Sequence, residues 1–123
     1  LSSMTPTIVM KDEELFFTTG SPGGSRIISA VLQSILNIVD FDMDLEEATL
    51  AKRVHHQWQP DKLEIEFSID DGIRNDLELI GYDINITAPL TCIQTIMYKD
   101  NKFSGYGDFR RPDAFASGKI NDR

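Results

Sequence analysis

The amino-acid sequence predicts an α+β protein in which antiparallel strands and helices form layers. Two β-rich runs, at residues 5–10 and 15–19, are spaced as the two arms of a hairpin. A helical repeat of apolar residues follows them, and three further β-like runs lie between residues 82 and 106. Hairpins mixed with helices do not favour a doubly wound parallel sheet. We therefore expect residues 1–123 to form a single-domain fragment of a layered sandwich.

The apolar repeat between residues 27 and 39 is the strongest secondary-structure signal. Its members share one broad stripe of a helix, wide enough to be buried against a sheet. They are Ile27, Ile28, Val31, Leu32, Ile35, Leu36 and Val39. Ser25 is the expected N-cap of this helix. A second, shorter helix is expected over residues 44–51, where Asp44 and Glu47 have the spacing of a capping box.

The second half of the chain combines short strands with one helix. Strands are predicted over residues 63–67, 82–87, 93–98 and 103–106, with a tight turn at 100–102. A helix over residues 70–80 is expected to end at Gly81. Residues 55–60 are expected to be irregular, and residues 108–123 to form an irregular tail.

Composition excludes some classes of function. A formal net charge of −8 argues against a nucleic-acid partner, because phosphate binding needs an excess of Lys and Arg. No apolar run reaches the roughly 18 residues that a membrane span needs. Cys92 is the one cysteine, so an internal disulfide is excluded, and we interpret it as a buried small residue rather than a nucleophile. Because the chain begins at Leu1 without a methionine, we expect it to be a piece of a longer protein.

Residues 20–25, Gly-Ser-Pro-Gly-Gly-Ser, are the most informative segment and are called the glycine loop below. They lie between a predicted strand and the start of the long predicted helix. Backbone N–H groups and the helix dipole at such a place suit a phosphate, a carboxylate or a developing oxyanion. Neither the Walker spacing nor the dinucleotide fingerprint is present. From physics alone, a plain strand–helix turn explains the segment equally well.

Other polar residues favour structural interpretations. Ser2 and Ser3 could donate two hydroxyl groups to a ligand, although a frayed terminus is the simpler explanation. His55 and His56 are neighbours and cannot chelate one metal as an i, i+4 pair would, so packing and hydrogen bonding with Trp58 are expected. The Arg110-Arg111 pair is expected to form ion pairs with Asp108 and Asp113, with contact to an anion as the alternative.

Four blocks of the sequence together resemble the γ-glutamyltranspeptidase family. The blocks follow one another in the family's order and spacing across nearly the whole chain. They are Ser2-Ser3-Met4-Thr5-Pro6-Thr7-Ile8-Val9, Thr19 to Ile27 around the glycine loop, Arg53-Val54-His55-His56-Gln57-Trp58, and Asp108-Phe109-Arg110. Phe109 stands where the family usually has proline, which bears on the geometry of that loop.

The resemblance implies an αββα N-terminal-nucleophile hydrolase fold shared between a large and a small subunit, with this chain as the C-terminal part of the small one. A threonine upstream of Leu1 would be the nucleophile, transferring the γ-glutamyl group of glutathione or related donors to water, an amino acid or a dipeptide. Gly23 and Gly24 match the oxyanion-hole glycines. Ser2 and Ser3 match the serines that bind the α-carboxylate of the donor.

The resemblance further implies partners, a compartment and an inactive isolated chain. The partners are the large subunit and the upstream part of the small subunit, and the expected location is periplasmic or extracellular. Neither the residues nor the resemblance calls for a cofactor or a metal ion. Two alternatives remain open: a free-standing carboxylate- or phosphate-binding module, and a structural assembly domain that presents an apolar face.

Overall fold

The computed structural model describes residues 4–67 and 69–118, and within these ranges the chain forms seven strands and three helices. The mixture confirms the predicted α+β class. In chain order the elements are β1 Thr7–Lys11, β2 Glu14–Gly20, α1 Arg26–Val39, α2 Leu45–Leu50, β3 Val54–His55, β4 Leu63–Glu66, α3 Asp71–Leu79, β5 Ile84–Thr87, β6 Gln94–Lys99 and β7 Lys102–Gly107.

The larger sheet has four antiparallel strands in the order β1-β2-β6-β7. Both of its hairpins turn through two polar residues with positive φ, which are Asp12 and Glu13 in the first and Asp100 and Asn101 in the second. Two consecutive residues of this kind give the turn a twist that matches the flanking strands. The two predicted hairpins are therefore confirmed, with strand ends shifted by one or two residues.

The smaller sheet has the order β3-β4-β5, and its last two strands are parallel. Helix α3 lies between them in the sequence, so β4, α3 and β5 form a βαβ unit. The two strands were predicted, but their parallel pairing was not. His55 also lies in a strand, paired with Glu64, and not in the irregular segment predicted for residues 55–60.

Helix α1 contributes to two buried apolar clusters. Near its start, Ile27, Ala30 and Val31 pack with Ile93, which is fully buried. Near its end, Ile38 packs with Phe17 of β2 and Ala48 of α2. Burying one such aliphatic or aromatic side chain contributes about 1.5–3 kcal/mol. Because the glycine loop leads directly into α1, this packing fixes the loop relative to the large sheet.

The helix ends follow the predictions, although Ser25 occupies the N-cap position of α1 without a side-chain capping bond. Asp44 and Glu47 form a complete capping box at the start of α2. At the end of α3, Gly81 has a φ of +105°, and its N–H bonds the carbonyl of Glu78, as expected of a glycine stop. None of the helices that the structure describes combines the length and apolar character that crossing a bilayer requires.

Candidate functional site

The glycine loop connects the end of β2 directly to the first turn of α1. Gly23 and Gly24 both have positive φ, +136° and +61°. Their carbonyl groups accept hydrogen bonds of 3.2 Å from the N–H groups of Arg26 and Ile27, and these bonds form the first turn of α1. The predicted arrangement of strand, glycine pair and helix N-terminus is thus present, and it suits an anion or an oxyanion. The roles assigned to the two glycines stay predictions.

The two glycines have different surroundings. A Cβ atom added to Gly23 would lie 2.9 Å from Oγ1 and 3.0 Å from Cβ of Thr91. A Cβ atom added to Gly24 would meet no described atom within 4 Å. Both glycines have a positive φ, which L side chains adopt only at a cost, and the space around Gly23 limits that position to glycine a second time.

The loop is held from the side of residues 90–93, which are called the bridging segment below. Thr91 Oγ1 donates a hydrogen bond to the carbonyl oxygen of Pro22 and also contacts Ser21 Oγ. Ser21 Oγ donates to the carbonyl oxygen of Cys92 at 2.8 Å. Side-chain hydroxyl groups of both segments thus fix residues 21–23. Cys92 itself is buried, 6% exposed, which confirms its interpretation as a packed residue.

The start of α1 is also tied to the smaller sheet. Ser25 Oγ donates to Gln57 Oε1 at 2.7 Å, which explains why it does not cap the helix as predicted. Arg26 donates two hydrogen bonds of 2.7 Å, from Nε and Nη2, to the two carboxylate oxygens of Glu64. Such a bidentate pair fixes orientation as well as distance.

The neighbouring histidines point to different partners. His55 is buried, with Nδ1 at 2.8 Å from Ser29 Oγ and Nε2 at 3.1 Å from Gln57 Oε1. His56 lies 3.0 Å from Asp61 and accepts a 3.2 Å hydrogen bond from the backbone N–H of Trp58. The hydrogen bonding expected with Trp58 is present, but its side chain is 74% exposed. Within the described residues, no group of three potential metal ligands lies together.

Four charged side chains form a buried ion cluster: Arg53, Glu66, Asp108 and Arg110. Their side chains are at most 3% exposed. Arg110 bonds both oxygens of Glu66, at 2.7 Å and 2.6 Å. Arg53 bonds Asp108 at 2.8 Å. Two positive and two negative charges balance, and every buried side-chain polar atom in the described part of the chain has a hydrogen-bond partner.

The sequence predicted one part of this ion cluster and missed the rest. The expected pair of Arg110 with Asp108 is confirmed, at 3.2 Å. Among the described residues, the side chain of Arg111 forms no ion pair, so its expected pairing with Asp113 is wrong. Arg53 and Glu66 were not singled out for this role. Glu66 lies at a polar position of the alternating run Leu63 to Phe67, so no local signal marked it as buried.

The ion cluster holds the bridging segment by its backbone. The N–H of Leu90 donates to Glu66 Oε1 at 3.2 Å, and the N–H of Ile93 donates to Asp108 Oδ2 at 2.8 Å. Arg53 Nη1 donates to the carbonyl oxygen of Thr91 at 2.9 Å. The segment that supports the glycine loop is therefore itself fixed by buried charges.

The carboxyl groups of the ion cluster remain ionised. Burial alone would raise the pKa of Glu66, but hydrogen bonds from Arg110 and its charge outweigh burial and lower that pKa. Burial would likewise raise the pKa of Asp108. Hydrogen bonds from the N–H groups of Ile93 and Arg110, with the charge of Arg53, lower it instead.

The remaining predicted features lie at the two ends of the chain. Ser2 and Ser3 lie outside the described residues, so their predicted role in binding a carboxylate stays a prediction. Phe109 is 56% exposed, and its ring lies beneath Lys52 and Arg110, at 5.5 Å and 4.9 Å from the ring centroid. Residues 108–118 contain no helix or strand, yet Asp108 and Arg110 are firmly held.

Comparison with known proteins gives one consistent family. The family model described as gamma-glutamyltranspeptidase matches residues 1–118. The chain is 42% identical over 119 residues to the glutathione hydrolase proenzyme of Escherichia coli. This alignment covers 96% of this chain and 20% of that protein. It is 39% identical over 129 residues to the corresponding proenzyme of a Pseudomonas strain, with coverages of 96% and 22%.

Solved structures agree in fold. A mutant of Helicobacter pylori γ-glutamyltranspeptidase superposes with a TM-score of 0.85 at 42% identity, covering 90% of this chain and 62% of that one. This match supports the fold class read from the sequence. The chain spans about a fifth of the length of the curated relatives it matches. On the family match and these identities, the chain belongs to the γ-glutamyltranspeptidase family.

Proposed function

We propose that the protein containing this chain transfers the γ-glutamyl group of glutathione and related donors to water, amino acids or dipeptides. The observation that carries the proposal is the family match over residues 1–118, with the glycine loop placed between β2 and α1. The E. coli relative is named a glutathione hydrolase proenzyme, which supports glutathione as the donor.

In this mechanism the chain supplies stabilisation and not the nucleophile. A threonine of the upstream part attacks the γ-carbonyl carbon, with its own α-amino group taking the hydroxyl proton. The carbonyl oxygen becomes an oxyanion, and the N–H groups of Gly23 and Gly24 donate hydrogen bonds to it. These bonds strengthen as charge develops, so they lower the barrier more than they strengthen substrate binding.

Breakdown of the intermediate completes the transfer. The C–N bond of the donor breaks and the amine leaves with a proton, which leaves a γ-glutamyl ester on the threonine. Water or an acceptor amine then attacks that ester and releases the enzyme. Through both steps Ser2 and Ser3 donate hydrogen bonds to the α-carboxylate of the glutamyl group, which fixes the donor against the glycine loop.

The proposal includes partners and a compartment. The upstream part of the small subunit would contribute the threonine, and a large subunit would complete the donor pocket. The relatives are named proenzymes, which supports cleavage of one precursor into these parts. We place the complete protein in the periplasm or outside the cell. Cell fractionation, with a marker enzyme for each compartment, tests this location.

The decisive experiment compares the complete protein with the isolated chain of residues 1–123. Both are incubated with γ-glutamyl-p-nitroanilide, with and without glycylglycine, and p-nitroaniline is followed by absorbance. The complete protein should release p-nitroaniline, and glycylglycine should accelerate release if transfer occurs. The isolated chain should be inactive, because it lacks the nucleophile. No release by a complete, processed protein would refute the proposed function.

A further inference from the structure

We propose that Thr91 is a positioning residue for the glycine loop, and that the ion cluster fixes Thr91 in place for this purpose. The inference rests on the proposed function, because it assigns the loop a geometry that matters in the transition state. It adds a residue outside the glycine pair and outside the serines at the start of the chain.

Thr91 contacts the loop in two chemically different ways. Its hydroxyl donates a hydrogen bond to the carbonyl oxygen of Pro22, the residue before the glycine pair, and contacts Ser21 Oγ. Its Oγ1 and Cβ atoms also occupy the space in which Gly23 would carry a side chain, at 2.9 Å and 3.0 Å from the ideal Cβ position. The hydrogen bond to the preceding residue and the close approach to Gly23 together limit where the Gly23–Gly24 peptide can lie.

Thr91 can do this because its own backbone is anchored in the interior. Arg53 donates to the Thr91 carbonyl at 2.9 Å, and the same guanidinium bonds Asp108 at 2.8 Å. The flanking residues are held by the N–H bonds of Leu90 to Glu66 and of Ile93 to Asp108. Thr91 thus connects the exposed loop to the most buried charges of the described chain, beside the hydrogen bond that Ser21 donates to the Cys92 carbonyl.

Position matters more for an oxyanion hole than for simple binding. Its donors must lie within about 3 Å of the oxygen as that oxygen becomes charged. A small displacement leaves substrate binding largely intact and weakens only the transition state. Loss of the Thr91 hydroxyl should therefore lower kcat and leave KM nearly unchanged.

The test uses three variants of the complete protein. Thr91→Val keeps the shape and removes the hydroxyl, Thr91→Ser keeps the hydroxyl, and Thr95→Val is the matched control. Thr95 is also a buried threonine, and its hydroxyl bonds Thr19 at 2.9 Å and none of residues 21–23. With γ-glutamyl-p-nitroanilide, we expect kcat to fall about tenfold in Thr91→Val at an unchanged KM, the loss that one hydrogen bond predicts. Thr91→Ser and Thr95→Val should stay within about twofold of the parent, well under the loss of one hydrogen bond.

A second measurement does not depend on activity. Amide hydrogen exchange at residues 23–25 should become faster in Thr91→Val and not in Thr95→Val. Unchanged exchange at these residues, or a fall in kcat shared equally by Thr95→Val, would overturn the positioning role. If the parent protein has no γ-glutamyl activity but exchange responds as expected, the positioning role stands and the proposed function is the part that fails.

Discussion

The glycine loop and the ion cluster both contact the bridging segment, but they differ in exposure and in residue type. Residues 22–25 of the loop are exposed, and two of them are glycines in conformations that other residues adopt at a cost. The ion cluster is buried and charged, and each of its side chains is hydrogen-bonded. A loop of this composition has little stiffness of its own, so its stiffness comes from the segment beside it.

The difference explains how an exposed loop can be open without being loosely held. Backbone that must face a ligand cannot be covered by side chains, and its N–H groups cannot be used up by neighbouring strands. Rigid support must then come from the segments that flank it. In this chain Thr91 and Ser21 provide the link, and the buried charges provide the anchor.

The largest expected effect comes from breaking the ion cluster. Arg110→Leu leaves Glu66 buried without its main cation and should destabilise the complete protein by about 3–5 kcal/mol, measured by urea unfolding. The control is Arg74→Leu, since the carboxylate of its partner Asp71 is 82% exposed and exposed pairs contribute about 0–1 kcal/mol. Equal losses in both variants would mean that burial of the ion cluster adds nothing.

The next effect concerns substrate binding at the predicted serines. Replacing Ser2 and Ser3 together by alanine should raise KM, because each hydrogen bond to a charged group contributes about 1.5–3 kcal/mol. The α-carboxylate is charged in both ground and transition states, so kcat should fall less. Donors lacking the α-carboxylate are the control. An equal loss with both donor types would make the serines structural.

Three alanine substitutions sharpen the description of the loop. Gly24→Ala should cost about 1–2 kcal/mol, the strain of a left-handed conformation for an L residue. Gly23→Ala should cost more, because its methyl group would also press on Thr91. Gly20→Ala is the matched control in the same loop, with open space around the added atom and no positive φ. Thermal unfolding gives the order, and the comparison fails if Gly20→Ala ranks highest.

Acidification should weaken the ion cluster with a defined sign. The pKa values of Glu66 and Asp108 are lower in the folded chain than in the unfolded one. Their contribution to stability is therefore complete above the unfolded values of about 4 and is lost as pH falls through the folded values. Unfolding free energies measured from pH 6 downward should fall only in this acid range, and less steeply in Arg110→Leu. A loss centred near neutral pH would contradict the assignment.

How much the sequence revealed depended on the range of the signal. The hairpins, helix α1 and the capping box of α2 arise from residues within a few positions of each other, and all were predicted. The parallel pairing of β4 and β5 and the ion pairs of Arg53 with Asp108 and Glu66 with Arg110 join distant residues, and these were missed. No local rule places charges 55 or 44 positions apart in one buried cluster.

The site shows the same division. The glycine pair between a strand and a helix was found because its residue types and order are local. Ser25 occupies the predicted N-cap position, but its hydroxyl is directed to the side chain of Gln57, 32 positions away, and makes no capping bond. Thr91 carried no signal of its own, since its importance arises only when residues 90–93 lie beside the loop.

Replacing the backbone N–H of Gly24 by an ester oxygen tests the central claim most directly. Gly24→Pro would also delete this N–H, but proline cannot adopt a φ of +61°, so that variant would distort the loop as well. The ester keeps the glycine conformation available. In the complete protein kcat for γ-glutamyl-p-nitroanilide should fall roughly 100- to 1,000-fold at a nearly unchanged KM. The same ester placed at Glu13, in the exposed β1–β2 turn, should leave kcat unchanged. A Gly24 ester with near-parental kcat would contradict the oxyanion role of the loop.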